Sequence, residues 1–158
     1  MTNRRPSGSK TVLELALLGS PEIRLRGQPL NLPTRKALAL LVYLACEPGV
    51  HPREKLASML WPDNDETGGR TALRKALGFL TAEFEVRGKV LFLNVNRAAL
   101  GFKLDPSVAH HLRDLEVAAK RARNPEDGDL AALRTSLEQT CDRVRGEFMA
   151  GFSLPDAF

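Results

Sequence analysis

Four prolines decide how the middle of this chain can fold. Pro33, Pro48, Pro52 and Pro62 cut residues 33–62 into short segments, because a proline inside a helix removes a hydrogen bond and clashes with the preceding turn. Pro33–Thr34 supplies a stop and an N-cap for Arg35–Glu47 (RKALALLVYLACE). That segment is apolar nearly all round, which predicts a buried helix ended by Pro48–Gly49. His51–Pro52 opens a second helix, with Pro52 at its first position and Leu56, Ala57, Leu60 and Trp61 on one face, and Pro62 closes it. The polar Asp63–Thr67 turn then leads into residues 68–84. There Leu73, Leu77, Leu80 and Phe84 stand at i, i+4, i+7 and i+11, a stripe within about 40° on a helical wheel, so an amphipathic helix of about four to five turns is expected.

The segments on either side have a different period. Thr11–Leu18 (TVLELALL) alternates, halts at Gly19–Ser20–Pro21 and resumes as Glu22–Arg26, with Gly27–Gln28–Pro29 before Leu30–Leu32, which predicts a small antiparallel sheet. Lys89–Val95 and Leu100–Leu104 read as two strands joined by the polar tip Asn96–Arg97–Ala98–Ala99. Two helices follow, Val108–Arg123 and Gly128–Gly146, separated by residues 124–127, with apolar stripes at Leu112, Leu115, Ala119 and at Leu130, Leu133, Leu137, Val144. The expected fold is therefore α+β. It is a winged helix-turn-helix (small N-terminal antiparallel sheet, three helices, C-terminal wing hairpin) followed by an α-helical hairpin of helical-repeat type. The expected division is a flexible basic arm at 1–10, a DNA-binding domain at 11–105 and a partial helical domain at 106–158. Phe148, Met149, Phe152, Leu154 and Phe158 are expected to leave an uncovered apolar edge.

Composition narrows the function. With 43% hydrophobic and 27% charged residues in 158, the chain is globular and spans one to two domains. No apolar run reaches the ~18–20 residues of a membrane helix and the N-terminus lacks a signal-peptide core, so a cytoplasmic protein without membrane partners is expected. Cys46 and Cys141 lie in helical stretches without CxxC spacing and are expected reduced and buried. Phosphate-loop, GxSxG and HExxH motifs are absent, His51 stands alone in a loop, and His110 and His111 point about 100° apart on a helix, so no catalytic residue, metal or cofactor is expected. Residues 1–104 hold 16 Lys+Arg against 9 Asp+Glu, whereas residues 105–158 hold 7 against 10. The basic part suggests a polyanionic partner.

Opposite the apolar stripe of 68–84 lie Thr71, Lys75 and Gly78, with Arg74 on the flank. This face suits a major groove, where Arg and Lys donate to guanine, Thr meets thymine, and Gly lets the backbone approach. Arg97 at the hairpin tip, with Lys89 and Lys103 on its strands, fits a flanking phosphate or the minor groove. Arg35, Lys36, Arg53 and Lys55 begin the two earlier helices, where backbone amides favour phosphate.

The segments LLGSPEIRLRGQPLNLPTRKALALLVYLACEPG, REKLASMLWPD and GRTALRKALGFL resemble the OmpR-type winged-helix domain of the Streptomyces antibiotic regulatory protein (SARP) family over roughly residues 12–104. LFLNVNRAALGFKLDPS is similar to the wing of those activators. The stretch from LRDLEVAAK to RGEFMAGFSLPD looks like the start of the bacterial transcriptional activator domain, which in the family runs on for several more helices. The resemblance implies binding of double-stranded promoter DNA at direct repeats and recruitment of RNA polymerase, with tandem binding or a homodimer, which the uncovered apolar edge would allow, as the expected assembly. It also implies a phosphate-contacting Arg at Arg70, while Phe79 and Thr81 stand where the family often has basic residues. The rival reading is a protein-interaction module of a larger regulatory ATPase without direct DNA contact.

Overall fold

The computed structural model describes residues 11–124 and 130–154. In chain order the elements are β1 (Leu13–Ala16), β2 (Glu22–Leu25), β3 (Gln28–Pro29), α1 (Arg35–Cys46), β4 (Val50–Pro52), α2 (Arg53–Leu60) and α3 (Glu66–Phe84). They continue with β5 (Glu85–Val86), β6 (Lys89–Val90), β7 (Leu93–Val95), β8 (Ala99–Phe102), β9 (Val108–His110), α4 (His111–Arg123) and α5 (Leu130–Cys141). The class is α+β, as expected. Contacts divide the chain into two compact units. One joins the described residues up to Asn31 to Pro106–Phe152; the other is Leu32–Asp105 with the described residues from Ser153 onward.

The first unit is built on a sheet of order β3-β2-β1-β9. The expected sheet was wholly antiparallel and ended with β3. Instead β9 joins it parallel to β1, with Leu13 opposite Val108 and Leu15 opposite His110. This is why residues 11–31 group with 106–152 rather than with the helices that follow them in sequence. It also shortens the expected helix from Val108, because Val108, Ala109 and His110 are all buried strand residues and the helix begins at His111. With strands on both sides, β1 buries Leu13 and Leu15 completely. The expected helix to Gly146 stops at Cys141. Residues 145–150 instead return to the turn after β1: Gly19 N–H donates to Glu147 O (2.8 Å), Met149 N–H to Leu17 O (2.9 Å) and Arg145 N–H to Leu18 O (3.0 Å). The expected apolar edge is therefore partly covered. Met149 and Phe152 are half-buried while Phe148 stays exposed, and Phe158 lies outside the described residues. Leu130 of the anticipated stripe on α5 is 72% exposed and Val144 is also exposed. Cys46 and Cys141, both expected buried, are half-buried and exposed respectively, and neither is in a disulfide.

In the second unit Pro33, Pro48 and Pro62 bound the helices as read, whereas Pro52, expected at the first position of the second helix, ends β4 and precedes α2, which begins at Arg53. Thr34 Oγ1 accepts from Ala37 N–H (3.1 Å) at the start of α1, which buries Ala37, Leu40, Leu41, Val42 and Leu44. Asp65 Oδ1 accepts from Gly68 N–H (2.7 Å) and starts α3, whose Leu73, Leu77, Leu80 and Phe84 are all buried. His51, expected alone in a loop, is the buried centre of β4. Its Nε2 lies 3.2 Å from Glu47 O, and its ring meets Tyr43 edge-on at 5.1 Å. The strand β4 pairs with β8, and β8 with β7, all antiparallel. Gly101 permits this: a Cβ there would stand 2.8 Å from Gly49 O and 3.1 Å from Val50 Cγ1.

Candidate nucleic-acid interface

The exposed side of α3 follows from its buried side. With Leu73, Ala76, Leu77 and Leu80 inward, Thr71, Arg74, Lys75 and Gly78 all face solvent. Neither Arg74 nor Lys75 is in an ion pair with any described residue. A Cβ at Gly78 would meet nothing within 4 Å, so a surface can approach the backbone closely there. Thr71 Oγ1 donates to Thr67 O (3.0 Å), which leaves its lone pairs and methyl facing outward. Phe79 is half-buried at the edge of the core and Thr81 is tied to Gly78 O (3.1 Å).

Arg70 is placed differently from its neighbours. Its Nη2 pairs with Glu54 Oε1 (3.0 Å) on α2 and with Glu66 on its own helix, so two carboxylates already offset its charge. Arg35, expected to face phosphate, donates through Nη1 to Ser153 O (3.0 Å). Lys36 lies over the Trp61 ring, 5.8 Å from its centroid, which ties the start of α1 to the end of α2.

The hairpin carrying Arg97 is shorter than the expected strands. Lys89–Val95 is broken at Phe92, whose φ of +63° turns its ring into the core to meet Phe84 edge-on at 5.5 Å. Lys89 consequently lies on β6, paired with β5 through Val86, and not on a strand of the Arg97 hairpin. That hairpin is β7 and β8 only. Its tip is organised by Asn96, whose Oδ1 accepts from the N–H groups of Ala98 (2.9 Å) and Ala99 (2.7 Å). Arg97 projects from that tip, exposed. Arg53, expected to face phosphate, is half-buried, and its Nε donates to Asn96 O (2.9 Å). Sequence reasoning missed this role, since nothing in REKLASML marks its first residue as a partner of a hairpin more than forty residues away.

In the other unit, His111 Nε2 lies 3.0 Å from Glu14 Oε1; a carboxylate only accepts, so this nitrogen carries the proton. Its Nδ1 is buried without a hydrogen-bond partner. Burial, and then the nearby Arg143, pushes the His111 pKa below its ordinary value, against the opposing pull of Glu14 and Asp114. No group of three or more His, Cys, Asp or Glu that could hold a metal occurs among the described residues. None of the described helices is long and apolar enough to cross a membrane.

No family model matches the sequence, and no curated protein matches it. Among solved structures the chain is similar to Mycobacterium tuberculosis EmbR, determined in complex with a low-affinity phosphopeptide. The TM-score is 0.66 at 18% identity, over 87% of this chain and 37% of that one. The chain thus spans little more than a third of that neighbour's length, and the likeness it shares with EmbR is one of fold.

Proposed function

We propose that Leu32–Asp105 is a winged helix-turn-helix that reads double-stranded DNA, and that the chain is a sequence-specific transcriptional regulator. In this reading α3 enters the major groove, where Arg74 and Lys75 donate to base edges, Thr71 contacts a thymine methyl or a base acceptor, and Gly78 admits close approach. In the same reading the β7–β8 hairpin is the wing, and Arg97 meets a flanking phosphate or the minor groove. Arg70, Arg35 and Arg53 serve the frame of the reading head, since each already has a partner in the protein. The observation that carries the reading is the face of α3, with two unpaired cations, a hydroxyl and an uncovered glycine opposite an unbroken buried stripe. The fold likeness to EmbR and the resemblance to SARP activators support it. That resemblance adds promoter DNA, direct repeats and RNA polymerase as partners, with the α4–α5 region making protein contacts.

The test is titration of a labelled duplex, selected from a random pool, followed by anisotropy at 50 and 200 mM salt beside a scrambled duplex. The reading expects preference for the selected duplex and affinity that falls as salt rises, because phosphate contacts release counterions. Equal affinity for both duplexes, or binding indifferent to salt, overturns it and leaves the protein-interaction module as the better account.

A further inference from the structure

The contacts around Arg97 are set by one residue of α2. The first N–H groups of a helix have no partner within it. Pro52 precedes α2 and caps nothing with its side chain, so the Arg53 N–H is such an orphan, and it donates to Ala98 O at 2.9 Å. The Arg53 side chain then donates through Nε to Asn96 O, also at 2.9 Å. Arg53 therefore takes the carbonyls on both sides of Arg97, one with its backbone and one with its guanidinium. Asn96 Oδ1 closes the same turn from within. Two anchors flank an exposed cation whose own side chain has no partner among the described residues.

We infer that Arg53 is a positioning residue for nucleic-acid binding: it fixes the hairpin tip to the start of α2 so that Arg97 is presented in one orientation to a DNA phosphate. The inference rests on the DNA-binding reading. Without the guanidinium the tip keeps its Asx turn and the backbone bond from Arg53 N–H to Ala98 O, but its Asn96 side is unanchored, and Arg97 then loses conformational freedom when it binds. With Arg53 in place, that ordering is already present in the free protein. Arg53 need not touch DNA itself, and its half-buried position with Nε turned to Asn96 O is what separates it from a direct phosphate ligand.

The test is a double-mutant cycle on the full chain, read as the slope of log affinity against log salt, with Arg53→Gln, Arg97→Ala and the pair. Each lost phosphate contact lowers the slope by about 0.9, or about 3.5-fold in affinity ratio across a fourfold change in salt. If Arg53 positions Arg97, Arg53→Gln removes most of the same 0.9 that Arg97→Ala removes, and the double variant loses no more than either single one. Melting temperatures within a few degrees of the parent confirm that the fold is kept, and Asn96→Ala, which loosens the same turn from the other side, should move the slope in the same direction. Additive losses, near 1.8 for the pair, overturn the inference and make Arg53 a direct contact. So does a normal slope for Arg53→Gln beside a reduced one for Arg97→Ala. If the parent chain binds no duplex, the DNA-binding reading falls together with the inference, a result seen before any variant is made.

Discussion

Replacing Arg74 by Ala should remove DNA reading and leave folding intact. The guanidinium is exposed, on the flank of α3 beside the face opposite its buried stripe, and in no ion pair among the described residues, so its truncation opens no cavity and orphans no partner. Such substitutions stay within about 0.5 kcal/mol of parent stability. A guanidinium forked onto guanine O6 and N7 discriminates by about 1–3 kcal/mol, which is about 5- to 150-fold in Kd. Arg70, one turn earlier on the same helix, provides the internal control. It is held by Glu54 and Glu66, and an exposed pair of this kind contributes only about 0–1 kcal/mol. Removing it frees two carboxylates near the proposed duplex, so Arg70→Ala should weaken binding to every sequence alike. The assay is parallel titration of the selected and the scrambled duplex, with thermal melting of each variant. Arg74→Ala should close the gap between the two duplexes, and Arg70→Ala should lower both affinities at a constant ratio. If Arg74→Ala and Lys75→Ala both keep the parent ratio with melting unchanged, α3 is not the reader and the reasoning fails.

Gly101→Ala should destabilise the Leu32–Asp105 unit by about 1–3 kcal/mol in urea unfolding, because the new methyl meets the Gly49 carbonyl, which no rotamer change can move. Arg145→Ala removes donors to Ala16 O (3.3 Å) and Ser20 O (3.0 Å) and an ion pair with Glu22 (3.2 Å). Being part-exposed, it should lower stability by about 1–2 kcal/mol, with early amide exchange at Leu17–Gly19 as the local sign. His111, with its folded pKa lowered, binds a proton less readily than in the unfolded chain. Stability is then complete above the unfolded value near ~6.5 and falls as pH drops below it. His111→Gln should flatten that part of the pH–stability curve, and an unchanged curve would assign the dependence to other groups.

The helical middle of the fold was legible because prolines and caps are local signals. Thr34 and the stripe from Leu73 to Phe84 act within a few residues, and each was found where the sequence placed it, while Asp65, inside the turn expected at 63–67, caps α3 and starts it at Glu66. The strands β4 and β9 were not legible. Each is three residues long, too short for a period of two to be seen, and each exists only because a distant strand supplies its hydrogen bonds, β8 for the one and β1 for the other. The break at Phe92 was hidden for a related reason. An apolar KVLFLNV reads as one strand, and only the pocket beside Phe84 makes it worthwhile for a bulky residue to take positive φ. On the candidate site, the outward face of α3 could be read from periodicity alone. Whether a given cation was already engaged depended on partners more than forty positions away for Arg53 and Arg35, and for Arg70 on Glu54, sixteen positions away, beside Glu66 at i−4, which the helical spacing does offer.

That distinction changes what the charge argument can carry. The excess of positive charge in residues 1–104 includes Arg4, Arg5 and Lys10, which lie outside the described residues, and residues 11–31 carry two charges of each sign. Leu32–Asp105 holds 11 Lys+Arg against 8 Asp+Glu, a modest surplus for a nucleic-acid-binding unit. Within it Arg70 is neutralised by carboxylates, Arg53 and Arg35 are turned to carbonyls, and Lys36 lies over Trp61. The exposed cations left for DNA on α3 and the following hairpins are Arg74, Lys75, Arg87, Lys89, Arg97 and Lys103. With Arg74 and Lys75 assigned to bases and two to four of the others to phosphate, the salt slope of this unit should be near −2 to −4, at about 0.9 per phosphate. A slope near −10 would require most of the internally engaged arginines to leave their partners on binding. On the proposed reading, it is the placement on one helix and the following hairpins of exposed cations in no ion pair among the described residues, more than the net charge of either half of the chain, that argues for DNA.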